Sequence, residues 1–126
     1  MLITNDVVSQ FPKLRFAIVE ASSQWILFVI HDLRRRLETR GRKLAENPLK
    51  NHNIWVTCQT DDDIPYVLKY AGDSQLVIGT DYGHQDQSSE IEAMRTFREQ
   101  GTVDPAVIIR SWERMASSSM GLRPNG

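Results

Sequence analysis

The 126-residue chain is long enough for one domain with its own core and too short for two. It is 40% hydrophobic and 25% charged, with a formal net charge of -1, which gives the whole chain no electrostatic pull toward nucleic acid or an anionic membrane. Its longest apolar run, Trp25 to Ile30, falls far short of the roughly 20 residues that span a bilayer.

Met1 to Asp6 lack the basic start and long apolar stretch of a secretion signal. The single cysteine, Cys58, has no partner for an internal disulfide. Together these features set a cytoplasmic location as the expectation.

Short apolar runs alternate with longer helical stretches, the pattern of βαβ units and a parallel sheet. A short helix across Asp6 to Gln10 stops before Pro12. Leu14 to Val19 reads as the first strand, nearly all apolar, as a strand covered on both faces would be. A helix follows, with Ser22 or Ser23 at its N-cap and Gly41 as its stop. Trp25, Leu33 and Leu37 mark its buried face, joined by Ile26, Val29 and Ile30. Arg42 to His52 reads as a polar connection containing Pro48.

Ile54 to Cys58 is the second strand. Thr60 and Asp61 to Asp63 supply caps and negative charge where the next helix begins. Pro65 fits its first turn and Gly72 ends it. Leu76 to Gly79 is the third strand, and Thr80 to Ser89 a polar loop. Helices are expected over Glu90 to Glu99 and Pro105 to Met115, separated by Gly101, with Asp104 capping the second. The domain therefore spans residues 1–116, with 117–126 as a flexible tail of small and polar residues. Three parallel strands make a poor isolated domain, because both outer edges stay unpaired.

In parallel α/β folds, chemistry sits at the C-terminal ends of the strands. Three segments qualify: Glu20 after the first strand, Gln59 to Asp63 after the second, and Thr80 to Asp86 after the third. An aspartate at the third exit, Asp81, is placed to bind a divalent metal and take a proton from its water, with His84 orienting it or meeting substrate. The same residues also read as turn caps and a surface histidine. Glu20 reads either as an acid/base group raised by desolvation or as a carboxylate paired with an arginine.

The basic run Arg34, Arg35, Arg36, Arg40, Arg42 and Lys43 has no interleaved aromatics, and we read it as a solvated helix face rather than a nucleic-acid site. Cys58, inside a strand, is a small buried hydrophobe rather than a nucleophile. Trp25, Trp55 and Trp112 are core anchors.

Three segments together carry a resemblance. Phe11-Pro12-Lys13-Leu14-Arg15-Phe16-Ala17-Ile18-Val19-Glu20, followed by Trp25, resembles the sixth strand and helix of amidohydrolase-related proteins, the group that includes aminocarboxymuconate semialdehyde decarboxylase. Asn53 to Cys58 resembles the seventh strand, and Leu76-Val77-Ile78-Gly79-Thr80-Asp81-Tyr82-Gly83-His84-Gln85-Asp86 the eighth with its loop.

The resemblance implies part of a (β/α)8 TIM-type barrel: about three βα units, strands six to eight, plus C-terminal helices. It implies a metal-dependent hydrolase or decarboxylase of small carboxylic or amide-type substrates, using zinc or another divalent metal. Asp81 falls at the position of a metal ligand, His84 at a histidine of the same loop, and Glu20 at a polar site residue.

Gly83 departs from the proline usual in that loop, and Glu113 to Leu122 lacks the asparagine and tyrosine usual near the closing helix. The His-x-His pair of the first strand and the histidine of the fifth are absent. Asp81 alone cannot hold zinc tightly, since a catalytic site needs about three protein ligands. A full barrel needs about 250 residues, roughly twice this chain. The expectation is a truncated or split member, inactive without its N-terminal half and holding no metal of its own. The alternative is a non-catalytic α/β domain that self-associates into a homo-oligomer through its open sheet edges.

Overall fold

The computed structural model describes residues 2–80, 92–107, 110 and 113. In it a three-stranded parallel sheet, ordered β1-β2-β3, is built from Phe16–Ile18, Ile54–Cys58 and Leu76–Ile78. The helices are α1 (Val7–Gln10), α2 (Ile26–Glu38), α3 (Pro48–Asn51), α4 (Ile64–Ala71) and α5 (Ala93–Gln100). No helix among the described residues is long and apolar enough to cross a membrane.

The central strand β2 matches its expected bounds, and the reason is burial. Ile54, Val56 and Cys58 alternate on one face and are at most 4% exposed. Ile26 and Ile30 of α2, Leu49 of α3, and Val67 and Ala71 of α4 form one cluster with Ile54, Val56 and Leu76. Both long crossover helices therefore cover the same face of the sheet, and α2 packs directly against α4. A second cluster joins Cys58 and Ile78 to Ile64, Ala93, Phe97 and Val103, which seats α5 beside β3.

Pairing of Ala17 with Trp55 and of Thr57 with Val77 places these four residues on the opposite face, which no described helix covers. Thr57 and Val77 are buried there, Trp55 is half-buried and Ala17 is exposed. Trp55 is thus not the enclosed anchor that its size suggests.

The first strand differs from expectation. It spans three residues rather than six, and its burial is half, exposed, half. Leu14 and Val19, expected inside it, are 44% and 57% exposed. The apolar run predicts a strand covered on both faces, but among the described residues β1 lies at the sheet edge, with β2 as its one neighbour. Edge position removes the burial that the composition anticipates. The two edges are unequal, since all three residues of β3 are buried.

The start of α2 is a second difference. Trp25 occupies the N-cap position, and no side chain caps it. Ser22 and Ser23 are engaged elsewhere, as described below. The buried stripe of Ile26, Ile30 and Leu37 agrees with expectation, while Phe28 on the outer side is 75% exposed. The connection after Gly41 is less irregular than its polarity suggests. Asn47 accepts from the Lys50 amide at 3.2 Å, Pro48 takes the first helical position, and Leu49 is buried, which makes the short helix α3.

Helix α4 is capped by Asp63, whose carboxylate accepts from the Tyr66 amide at 3.1 Å, and Pro65 lies in its first turn as expected. Asp104 accepts from the Ala106 amide at 2.8 Å at the start of the helical residues 105–107. The tail 117–126 and most of the expected closing helix, Trp112 included, lie outside the described residues.

Candidate functional site at the strand exits

All three strands run parallel, so their C-terminal ends open on one side of the molecule. Glu20 stands two residues beyond β1, exposed, with φ 58. Glu20 itself is exposed, although Phe16 and Ile18 of the strand before it pack half-buried against the core. Ser22 also has positive φ, 55. Two non-glycine residues in the left-handed region within three positions mark a strained turn, each costing of order 1 kcal/mol.

That turn is tied to the exit of β2. The hydroxyl of Thr57 accepts the Glu20 amide at 3.0 Å and donates to the Ile18 carbonyl at 3.4 Å. Asp62 lies in the loop between β2 and α4 and is 9% exposed. Its Oδ2 accepts from the Ser23 amide at 2.9 Å, the Ser23 hydroxyl at 2.8 Å and the Gln59 amide at 2.9 Å. Its Oδ1 accepts from the Ser22 hydroxyl. Ser23 is fully buried by this arrangement. A buried carboxylate is tolerable when its lone pairs are filled in this way.

Sequence reasoning places Asp62 within a strand-exit segment but reads it as a cap, and reads Ser22 or Ser23 only as the N-cap of the following helix. Three successive aspartates offered the only signal. One of them, Asp63, suffices to cap α4, which leaves Asp62 for another task.

Cys58, at the end of β2, is no nucleophile. Burial first, and the nearby Asp62 charge second, push its thiol up to about 12. Its Sγ lies 3.2 Å from the Val77 carbonyl. The basic run on α2 is partly engaged: Arg35 and Arg36 grip Asp32, with Arg36 holding its carboxyl below the usual range most strongly. Arg42 donates to the Thr4 carbonyl at 3.2 Å.

Asp81 and His84, the other two expected site residues, lie outside the described residues, as does Asp86. Among the described residues, no three His, Cys, Asp or Glu side chains come together as a metal ligand set. The zinc or other divalent metal implied by the resemblance therefore finds no fit among them.

A cleft of about 200 Å³ is walled by apolar side chains that include Ile3, Ile18 at the end of β1, Trp25, Val29 and Leu33. It offers no group for acid, base or nucleophilic chemistry.

The arrangement defines a parallel α/β segment with helices on one sheet face and polar loops at the strand exits. A solved amidohydrolase from Mycobacterium avium subsp. paratuberculosis has the same fold over most of this chain, with a TM-score of 0.69 and 21% identity. The match covers 88% of this chain and 29% of the amidohydrolase chain. No family model matches the chain, and no curated protein does.

Proposed function

We propose that this chain is the closing segment of an amidohydrolase-type barrel, contributing strands six to eight and the C-terminal helices. Its closer kin in this reading are the aminocarboxymuconate semialdehyde decarboxylase-like hydrolases and decarboxylases of small carboxylic or amide-type substrates. The observation that carries the reading is the superposition of 88% of the chain on a solved amidohydrolase. The exposed edge of β1 supports it, because a barrel segment offers that edge to the strand before it.

The assembled site would draw Glu20 from the first strand exit and Asp81 and His84 from the third, with Asp81 as the metal ligand among them. No described ligand set holds a metal, so no metal-dependent step is assigned to this chain alone. The partner of this reading is the preceding barrel half, whether on another chain or elsewhere in one polypeptide. Zinc titration of the purified chain tests it. The reading expects no zinc held at one per chain and no hydrolysis by the chain alone. Tight one-to-one binding with unaided turnover would overturn the incompleteness.

The β1 edge also favours a second reading, a non-catalytic domain that self-associates. A discrete dimer burying Leu14 and Val19, shown by sedimentation, would favour it.

A further inference from the structure

The turn from Glu20 to Ser23 holds two left-handed residues and has no regular structure of its own. A turn of that kind persists only where its surroundings over-determine it. Among the described residues, restraints from outside the turn come from the exit of β2, through Thr57 and Asp62, and from the start of α2, where the Trp25 indole donates to the Ser22 carbonyl at 2.8 Å and the Ile26 amide to the Ser23 carbonyl at 3.1 Å. Asp62 is the residue that holds the turn through side-chain and backbone donors together. It also accepts from the Gln59 amide, so one carboxylate fastens both strand exits at once.

The three neighbouring aspartates divide their work. Asp63 caps α4 and Asp61 is exposed, so neither duplicates Asp62. All four donors reaching Asp62 are neutral groups, which sets this apart from an ion pair.

We propose that Asp62 is a positioning residue: by fixing the Ser22–Ser23 turn against Gln59, it sets where Glu20 stands at the strand exits. The importance of Glu20 rests on the function proposed above, but the positioning does not. A carboxylate is required, because an amide turns one acceptor oxygen into a donor facing other donors. Glutamate would reach too far to serve both exits from the same backbone position.

Amide hydrogen exchange on the full chain, followed by NMR, tests this directly. In Asp62→Asn the amides of Glu20, Ser23 and Gln59 should exchange about tenfold faster or more, as a local opening would produce. The amide of Val56, bonded to the Gln75 carbonyl at 3.0 Å, should change far less. The Cα shift of Glu20 should also leave its left-handed value. Equal acceleration at Val56 would reduce Asp62 to a general stabiliser and overturn the proposal, as would unchanged exchange at Ser23 and Gln59.

Ser22→Ala is the milder variant, removing the donor to Oδ1 and the acceptor of the Gln24 amide, and should loosen Glu20 without disturbing Gln59. A Glu20 signal unmoved in both variants would also overturn the proposal. These readouts involve no turnover, so failure of the barrel reading would leave them intact, and their failure would leave that reading standing.

Discussion

Asp62, at the exit of β2, holds Ser23, at the exit of β1, through both its amide and its hydroxyl, at 2.9 and 2.8 Å from one carboxylate oxygen. Neither residue belongs to a strand or helix, yet Ser23 is fully buried. Removing the hydroxyl with Ser23→Ala should cost about 1.5–3 kcal/mol, the range for a hydrogen bond to a charged acceptor. Urea unfolding checks this. A change below about 0.3 kcal/mol, well under the usual net value of one such bond, would mean that the hydroxyl bond carries no load.

Cys58 gives a pH signature. Its folded pKa is raised from 9.0 to about 12, with burial the main cause. Its contribution is fully present below pH 9 and is lost as pH rises toward 12, because the unfolded thiol ionises first. Stability should therefore fall across that window, less so in Cys58→Ala once its lower baseline is subtracted. Thiol labelling of the native chain at pH 8 should track unfolding. Rapid labelling of the folded protein would contradict the burial.

Two glycines with similar φ should respond differently to alanine. Gly72 ends α4 at φ 68 and ψ 177, a region that only glycine enters readily, and an added Cβ would lie 3.0 Å from Asn47 Nδ2. Gly101 ends α5 at φ 62 and ψ 12, with nothing within 4 Å of an added Cβ. Gly72→Ala should cost about 1–3 kcal/mol and Gly101→Ala about 1 kcal/mol. Thermal or urea melts showing the reverse order would refute this account of the two turns.

Phe97 is 2% exposed and anchors α5 against Cys58, Ile64 and Ile78. Phe97→Ala should cost about 3–5 kcal/mol. Retention of full stability would show that α5 is not part of the cooperative core.

The open side of β1 invites a surface test. Val19→Lys and Leu14→Lys change residues that are 57% and 44% exposed, so chain stability should stay within about 0.5 kcal/mol. Any concentration-dependent association through this edge should weaken, since charge on an edge strand opposes pairing. Sedimentation velocity reads the difference. An unchanged association constant would place the contact elsewhere.

Legibility in the sequence followed burial. Ile54 to Cys58 was readable to the residue because it is the central strand, where alternation and apolar content agree. Leu14 to Val19 is similarly apolar, but composition does not reveal that a strand stands at an edge. Ser22 and Ser23 precede an apolar run and so resemble caps; their true partner, Asp62, is some forty residues distant in sequence, beyond the reach of local pattern. The turn at Pro48 was hidden by its charged neighbours, although Asn47 before a proline is a helix-start signal. Of the candidate site, Glu20 falls at a strand exit as its position after β1 required. Asp81 and His84 lie outside the described residues, so their roles stay with the proposal.

Trp55 gives the molecule its own optical probe. Its indole N–H is buried and finds no acceptor among the described residues, whereas that of Trp25 donates to the Ser22 carbonyl at 2.8 Å. Indole emission responds to the polarity around the ring, and Trp55 sits on the sheet face that no described helix covers. Occupation of that face should therefore register as a spectral change without any attached dye, and Trp55→Phe should silence it.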